Sequence, residues 1–134
     1  MSHLLDSSAW LAHLFGEPGV DDVGRLFNDP NTKVSISALS IPEVFARLIA
    51  IGRHPHWAEV WGIYSGLFSS VIAVDETIAH QAVLLRAATA ARLPTVDGLI
   101  AATALTRCLT LVHRDPHLTA ISDHKLRQMQ LPNK

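Results

Sequence analysis

Four short apolar runs, each closing on residues that cap helices, constrain this chain more than any other feature. They span residues 3–6, 33–37, 71–74 and 110–113, and each is rich in Leu, Val or Ile. Runs of this length bounded by capping residues read as buried strands. A weaker strand pattern lies at 125–130. Between the strands, apolar residues recur at helical spacing over 8–15, 18–28, 41–51, 55–68, 76–92 and 96–106, with one short turn at 116–120. The stretch 41–51, for example, carries Ile41, Val44, Phe45, Leu48 and Ile51 and stops at Gly52. Strands that alternate with helices predict an α/β fold, with a mainly parallel sheet of four to five strands between helical layers. The length suits one domain over residues 1–134.

Composition narrows the function classes. With 49% hydrophobic residues the chain can bury a core, and a formal net charge of −1 gives no basic field for nucleic acid. A nucleic-acid ligand would have to be held by local Arg residues and by metal. One cysteine, Cys108, excludes a disulfide framework and fits a reducing, cytoplasmic setting; it is expected to be a small buried side chain. The opening Met1-Ser2-His3-Leu4-Leu5-Asp6 is too soon acidic for a signal peptide. No apolar run reaches the roughly 18 residues that a membrane span needs, so no membrane partner is expected.

Ligands on parallel sheets bind outside the carboxyl ends of the strands. Four acids are expected at that edge. Asp6 follows the first strand, with Ser7 and Ser8 free to cap the next helix in its place. Glu43 falls in Ser40-Ile41-Pro42-Glu43, which also fits a capping box with Ser40 as N-cap. Asp97 begins the inward stripe Asp97, Ile100, Ala101, Ala104 and Leu105, where an unpartnered acid would be costly; Thr95 is its expected cap. Asp115 follows the last strong strand and precedes Pro116, an arrangement that equally suits an N-cap. Carboxylates gather only where something offsets their repulsion, and hard divalent cations with oxygen ligands do so. The pattern points to metal-assisted hydrolysis of a phosphodiester.

Other residues carry weaker signals. His113 and His117 flank Asp115 as ligands, as an acid–base pair or as surface groups. Arg114 is a candidate phosphate contact, with a solvated loop charge as the alternative. His54, His56 and His124 are expected to be solvated. Trp57, Trp61, Tyr64 and Phe68 form an aromatic stripe that reads as packing, part of it a surface for a partner.

The motifs Leu-Leu-Asp-Ser-Ser-Ala at 4–9, Ile-Ser-Ala-Leu-Ser-Ile-Pro-Glu-Val at 36–44, Asp-Gly-Leu-Ile-Ala-Ala-Thr-Ala at 97–104 and Leu-Val-His-Arg-Asp-Pro-His-Leu at 111–118 together resemble a PIN-domain ribonuclease. The small form is similar to the VapC toxins of bacterial toxin–antitoxin pairs. The resemblance covers nearly the whole chain and implies a three-layer α/β/α fold. It implies that Asp6, Glu43, Asp97 and Asp115 are the catalytic, metal-holding tetrad, with Ser8 a polar group beside the first acid. It further implies Mg²⁺ or Mn²⁺ as cofactor, RNA as substrate, a cognate antitoxin that threads a segment over the hydrophobic helices and places a basic side chain among the acids, and a homodimer. The chain departs from the family at His113, where Thr or Ser is frequent, at Leu118, where an aromatic is frequent, and at His117, where some members carry a further acid.

Two rivals remain on the sequence. A phosphoacceptor receiver module also has an acidic sheet edge, but it wants paired acids after the first strand and a Lys after the fifth. A catalytically silent PIN-like scaffold that binds RNA or protein would share every motif; metal-dependent cleavage separates it from the enzyme.

Overall fold

A computed structural model describes residues 1–122 and 125–134. In chain order the elements are β1 (Ser2–Leu5), α1 (Ser7–Phe15), α2 (Val20–Asn28), β2 (Lys33–Ser37), α3 (Ser40–Ala50), α4 (Trp57–Leu67), β3 (Ser70–Ile72), α5 (Glu76–Ala88), α6 (Thr95–Thr106), β4 (Thr110–His113), α7 (Pro116–Thr119) and β5 (Gln128–Gln130). The sheet order is β3-β2-β1-β4-β5, and every pairing is parallel. The expected α/β class and sheet are therefore present.

Strand side chains alternate between faces, so adjacent apolar residues feed two different cores. Leu4 and Leu111 pack with Ile78 and Leu85 of α5, Ile100 of α6 and Leu118 of α7. Leu5 and Val112 pack on the other side with Trp10 of α1, Val23 of α2, Val44 of α3 and Tyr64 of α4. Burial on both faces is why β1 and β4 read as continuous apolar runs rather than alternating ones. No described helix is long and apolar enough to cross a membrane.

Several local expectations change. The capping box at Ser40 does not form: α3 begins one residue earlier than that reading requires, Leu39 is the N-cap, and no side chain caps it. Pro94 rather than Thr95 caps α6, again without a side-chain bond. The helix expected from residue 18 starts at Val20, because Gly19 takes a left-handed φ of 99°. The stretch 55–68 divides into a 3₁₀ turn, His54–His56, and α4, and α5 stops at Ala88, short of residue 92. The weak strand at 125–130 keeps only Gln128–Gln130. Cys108 is exposed, not buried, with φ of 56° in the turn between α6 and β4. His54 and His56 are exposed as expected; His124 lies outside the described residues.

Candidate active site

The sheet order creates a divergence at its centre. From β1 the chain turns onto the α1 layer, and from β4 it turns onto the opposite layer through α7. The carboxyl ends of these two adjacent strands are therefore a topological switch point, where α/β sheets open a crevice. The backbone N–H of Asp6 donates to the carbonyl of Val112 at 3.0 Å, tying the two strand ends together. Asp6 lies directly beyond β1, and Asp115 two residues beyond β4.

Asp6 is itself the N-cap of α1, a role expected of Ser7 or Ser8. Its Oδ1 accepts from the Ala9 N–H at 2.8 Å and from Ser8 Oγ at 2.7 Å. The caps that were expected are committed elsewhere. Ser8 Oγ also accepts from the Arg114 N–H at 2.9 Å, linking the first acid to the loop that carries the last. Ser7 Oγ donates to Glu43 Oε1 at 2.5 Å and lies 3.0 Å from Ser40 Oγ. Ser7, whose position beside Asp6 suggests only a cap, holds Glu43 instead.

Asp97 and Asp115 meet from two elements, the first turn of α6 and the cap of α7. Together with His117 they offer one ligand atom each, all within 4.8 Å of one another. Asp6 and Glu43 stand outside that compact group but belong to the same electrostatic neighbourhood. Asp6 is 4% exposed, and burial, with the charges of Asp115 and Asp97 adding to it, pushes its carboxyl up to about 7 against the hydrogen bonds from Ser8 and Ala9. Burial and then the neighbouring Asp115 raise Asp97 to about 6, with Glu43 adding to the rise and His117 opposing it. Upward displacement of two carboxyls in one crevice marks a site of crowded negative charge.

The two histidines separate cleanly. His113 is fully buried. Its Nδ1 accepts from the Asp115 N–H at 3.1 Å, and its Nε2 lies 2.7 Å from Gln128 Oε1 on β5. The ring is thereby fixed as the Nε2–H tautomer, and burial lowers its pKa. Both ring nitrogens are thus engaged within the protein, one of them on the backbone of Asp115. His117 instead faces the acids, with Nδ1 at 3.0 Å from Asp115 Oδ1 and 4.0 Å from Asp97 Oδ2.

Arg114 does not serve as a free phosphate contact. Its Nη2 pairs with Glu17 Oε1 at 2.7 Å and the side chain is 11% exposed, while Lys134 Nζ approaches the other Glu17 oxygen at 2.7 Å. Those two hydrogen bonds hold the Glu17 carboxyl below its ordinary value. Glu17 and Gln128 gave no local signal, since they act across 97 and 15 residues of chain.

The His113–Gln128 pair leads to a measurable coupling. His113→Leu takes the partner from the half-buried Gln128 carbonyl oxygen, whose amide nitrogen keeps its bond to the Ile121 carbonyl, and Gln128→Leu strands the buried ring N–H; the second is expected to destabilise by about 1–3 kcal/mol and the first by less. The double variant should fall short of the summed loss by about 1 kcal/mol. Urea unfolding of the four proteins measures this, and strict additivity would show that the pair is not a unit.

The sequence model described as the PIN domain matches residues 3–123. A central parallel sheet with an acidic switch point is the architecture that match leads one to expect. The chain belongs to the PIN-domain family. Among solved structures it is similar to VapBC2 from Rickettsia felis bound to a promoter DNA fragment, at 16% identity and TM-score 0.80 over 98% of this chain and 100% of that one. It is also similar to FitAcB from Neisseria gonorrhoeae, at 22% identity and TM-score 0.75 over 96% of each chain. A third similar structure is Mycobacterium tuberculosis VapC20, a sarcin-ricin loop cleaving toxin, at 17% identity and TM-score 0.69 over 90% of this chain and 95% of that one. No protein with a curated description matches the chain significantly.

Proposed function

We propose that this PIN domain is a divalent-metal-dependent endoribonuclease and the toxin of a bacterial toxin–antitoxin pair, acting in the cytoplasm. The observation that carries the reading is the meeting of Asp97, Asp115 and His117 within 4.8 Å at the switch point, with Asp6 buried alongside.

The donor set fits a divalent cation. Asp6 is buried, its Oδ2 receives no hydrogen bond among the described residues, and the nearby guanidinium of Arg114 is held by Glu17. No Lys or Arg side chain pairs with Asp6, Asp97 or Asp115 among the described residues, and His117 alone opposes their charge, a condition that a bound cation relieves. Mg²⁺ or Mn²⁺ in such a site supplies an activated water and charge neutralisation for in-line hydrolysis of a phosphodiester.

The chain's own residues set the geometry. Asp97 and Asp115 would hold the ion from α6 and α7, and Asp6 would hold it from the floor of the crevice. Glu43 reaches the same edge from α3 and is steadied by the Ser7 hydroxyl. Ser8 fixes Asp6 relative to the Arg114 backbone, and His113 fixes the Asp115 N–H. An RNA strand is the substrate this reading assigns, on the strength of VapC20's cleavage of the sarcin-ricin loop. The antitoxin complexes among the similar structures support a cognate antitoxin as partner. The exposed Ile49, Ile51, Ile63 and Leu67 on or beside α3 and α4, and Val83 and Leu84 on α5, give apolar surface for that antitoxin and for a second copy of the chain.

Incubating the chain with structured and single-stranded RNA, with Mg²⁺, Mn²⁺ or chelator, tests the proposal. Cleavage is expected only with metal. Glu43→Gln keeps an acceptor for Ser7, so it should melt normally while losing most cleavage. Absence of cleavage with either metal, together with no metal-induced rise in melting temperature, would leave the silent scaffold as the reading.

A further inference from the structure

We propose that His117 is a nitrogen ligand of the metal centre and turns its preference away from Mg²⁺ toward Mn²⁺ and the other first-row transition ions. The inference rests on the metal-dependent reading above and adds a residue and a selectivity to it.

The geometry distinguishes His117 from the other described histidines that meet acids. His80 and His56 each face one glutamate of the same helical segment, at 3.3 and 3.8 Å, and all four of those side chains are at least 64% exposed. These are ordinary surface pairs. His117 faces two aspartates from two different elements, and both are only about one-fifth exposed. Its backbone is pinned as well: Pro116 occupies the first position of α7, and Asp115 Oδ1 accepts the His117 N–H at 2.9 Å. The imidazole therefore starts from a fixed point and turns Nδ1 toward both acids.

A second observation sets a buried acid beside this group. Asp6 is 4% exposed, its Oδ1 is saturated by Ser8 and Ala9, and no described residue donates to its Oδ2. A carboxylate buried within reach of the charges of Asp97 and Asp115 is unfavourable unless a cation offsets them.

The donor chemistry then sets the selectivity. Mg²⁺ favours an all-oxygen shell, whereas imidazole nitrogen raises affinity along the transition series. An acid at position 117 would give an all-oxygen set; His117 gives a mixed one.

Pulsed EPR of Mn²⁺ on the metal-stripped full chain, paired with calorimetric titration of Mn²⁺ and Mg²⁺, decides the matter. The wild type should show nitrogen-14 coupling from a ligated imidazole, and His117→Asp should lose it. The variant's Mn²⁺ affinity should fall on the order of 10–100-fold, the scale seen when even a ligand's supporting partner is removed, while Mg²⁺ binding holds or improves. His117→Gln is a second variant should the Asp variant fold poorly. Mn²⁺ bound to wild type without nitrogen coupling, or an unchanged Mn²⁺-to-Mg²⁺ ratio in a folded variant, removes His117 from the centre and leaves the acidic site standing. Failure of the wild type to bind Mn²⁺ at all would overturn the metal centre together with this proposal.

Discussion

Asp6→Asn should silence the chain and at the same time make it harder to melt in chelator. Cleavage is expected to drop at least about 100-fold, the upper end of what loss of a ligand's hydrogen-bond partner costs. Stability should move the other way. Asn caps a helix as well as Asp does, so the bond to the Ala9 N–H survives. What disappears is a buried charge. The folded carboxyl titrates at about 7 against 3.8 for the unfolded group. Between those values the folded chain holds the extra proton, so the contribution of Asp6 to metal-free stability is greatest below about pH 4, falls as pH rises toward 7 and levels off beyond it. The shift amounts to about 4 kcal/mol at most, at 1.36 kcal/mol per pKa unit. Melting temperatures from pH 4 to 8 in chelator should show the variant gaining steadily on the wild type as pH rises, whatever slope the other groups give to both. Equal slopes would remove Asp6 as the source, and undiminished cleavage would remove it from the site.

The second large effect concerns the core on the opposite side of the sheet from α6. Trp10 is fully buried, with Phe68 at 5.1 Å, Tyr64 at 5.5 Å, and Trp57 and Trp61 each at 6.3 Å between ring centroids. Trp10→Ala should destabilise by about 3–5 kcal/mol through lost burial and the cavity left behind. Trp10→Phe should lose far less. It keeps an aromatic ring in the cluster and discards the indole N–H, which is buried without a partner, a burden of about 1–3 kcal/mol in the wild type. Chemical denaturation of the two variants measures the difference. A Phe variant as unstable as the Ala variant would show that indole volume outweighs the unsatisfied donor.

That cluster also shows what could be read in the sequence. The period of Trp57, Trp61, Tyr64 and Phe68 announced one packed face, but the residue they surround, Trp10, lies on α1 and is invisible to a window on α4. The same division runs through the site. Apolar strand runs followed by acids were legible because burial on both faces and the carboxyl-edge rule act locally in sequence. The acids' partners were not. Ser7 reaches Glu43 across 36 residues, Arg114 reaches Glu17 across 97, and Gln128 finds His113 only through the β4–β5 register. Capping was misassigned for a related reason. Three capping-competent residues in a row at Asp6, Ser7 and Ser8 are equivalent locally, and only the neighbouring elements decide which of them caps. Cys108 was misplaced because a non-glycine residue at φ of 56° is set by the tight return from α6 into β4, which no pattern of hydrophobicity encodes.

The position of β1 has a consequence for the life of the chain as it is made. β1, the earliest of these strands in chain order, is the middle strand of the sheet, flanked by β2 on one edge and β4 on the other. The β2 edge is satisfied early, but the β4 edge stays bare until residues 110–113 emerge, and the loop bearing Asp115 follows them. Pairings between such distant segments form late and slowly. A chain cut short before β4 therefore holds Asp6 beside an open strand edge and lacks the wall of the crevice that Asp115 supplies. The architecture makes the crevice whole only once β4 and the Asp115 loop have docked against β1, so its two acidic walls come together in the last long-range pairing of the central sheet rather than in the first.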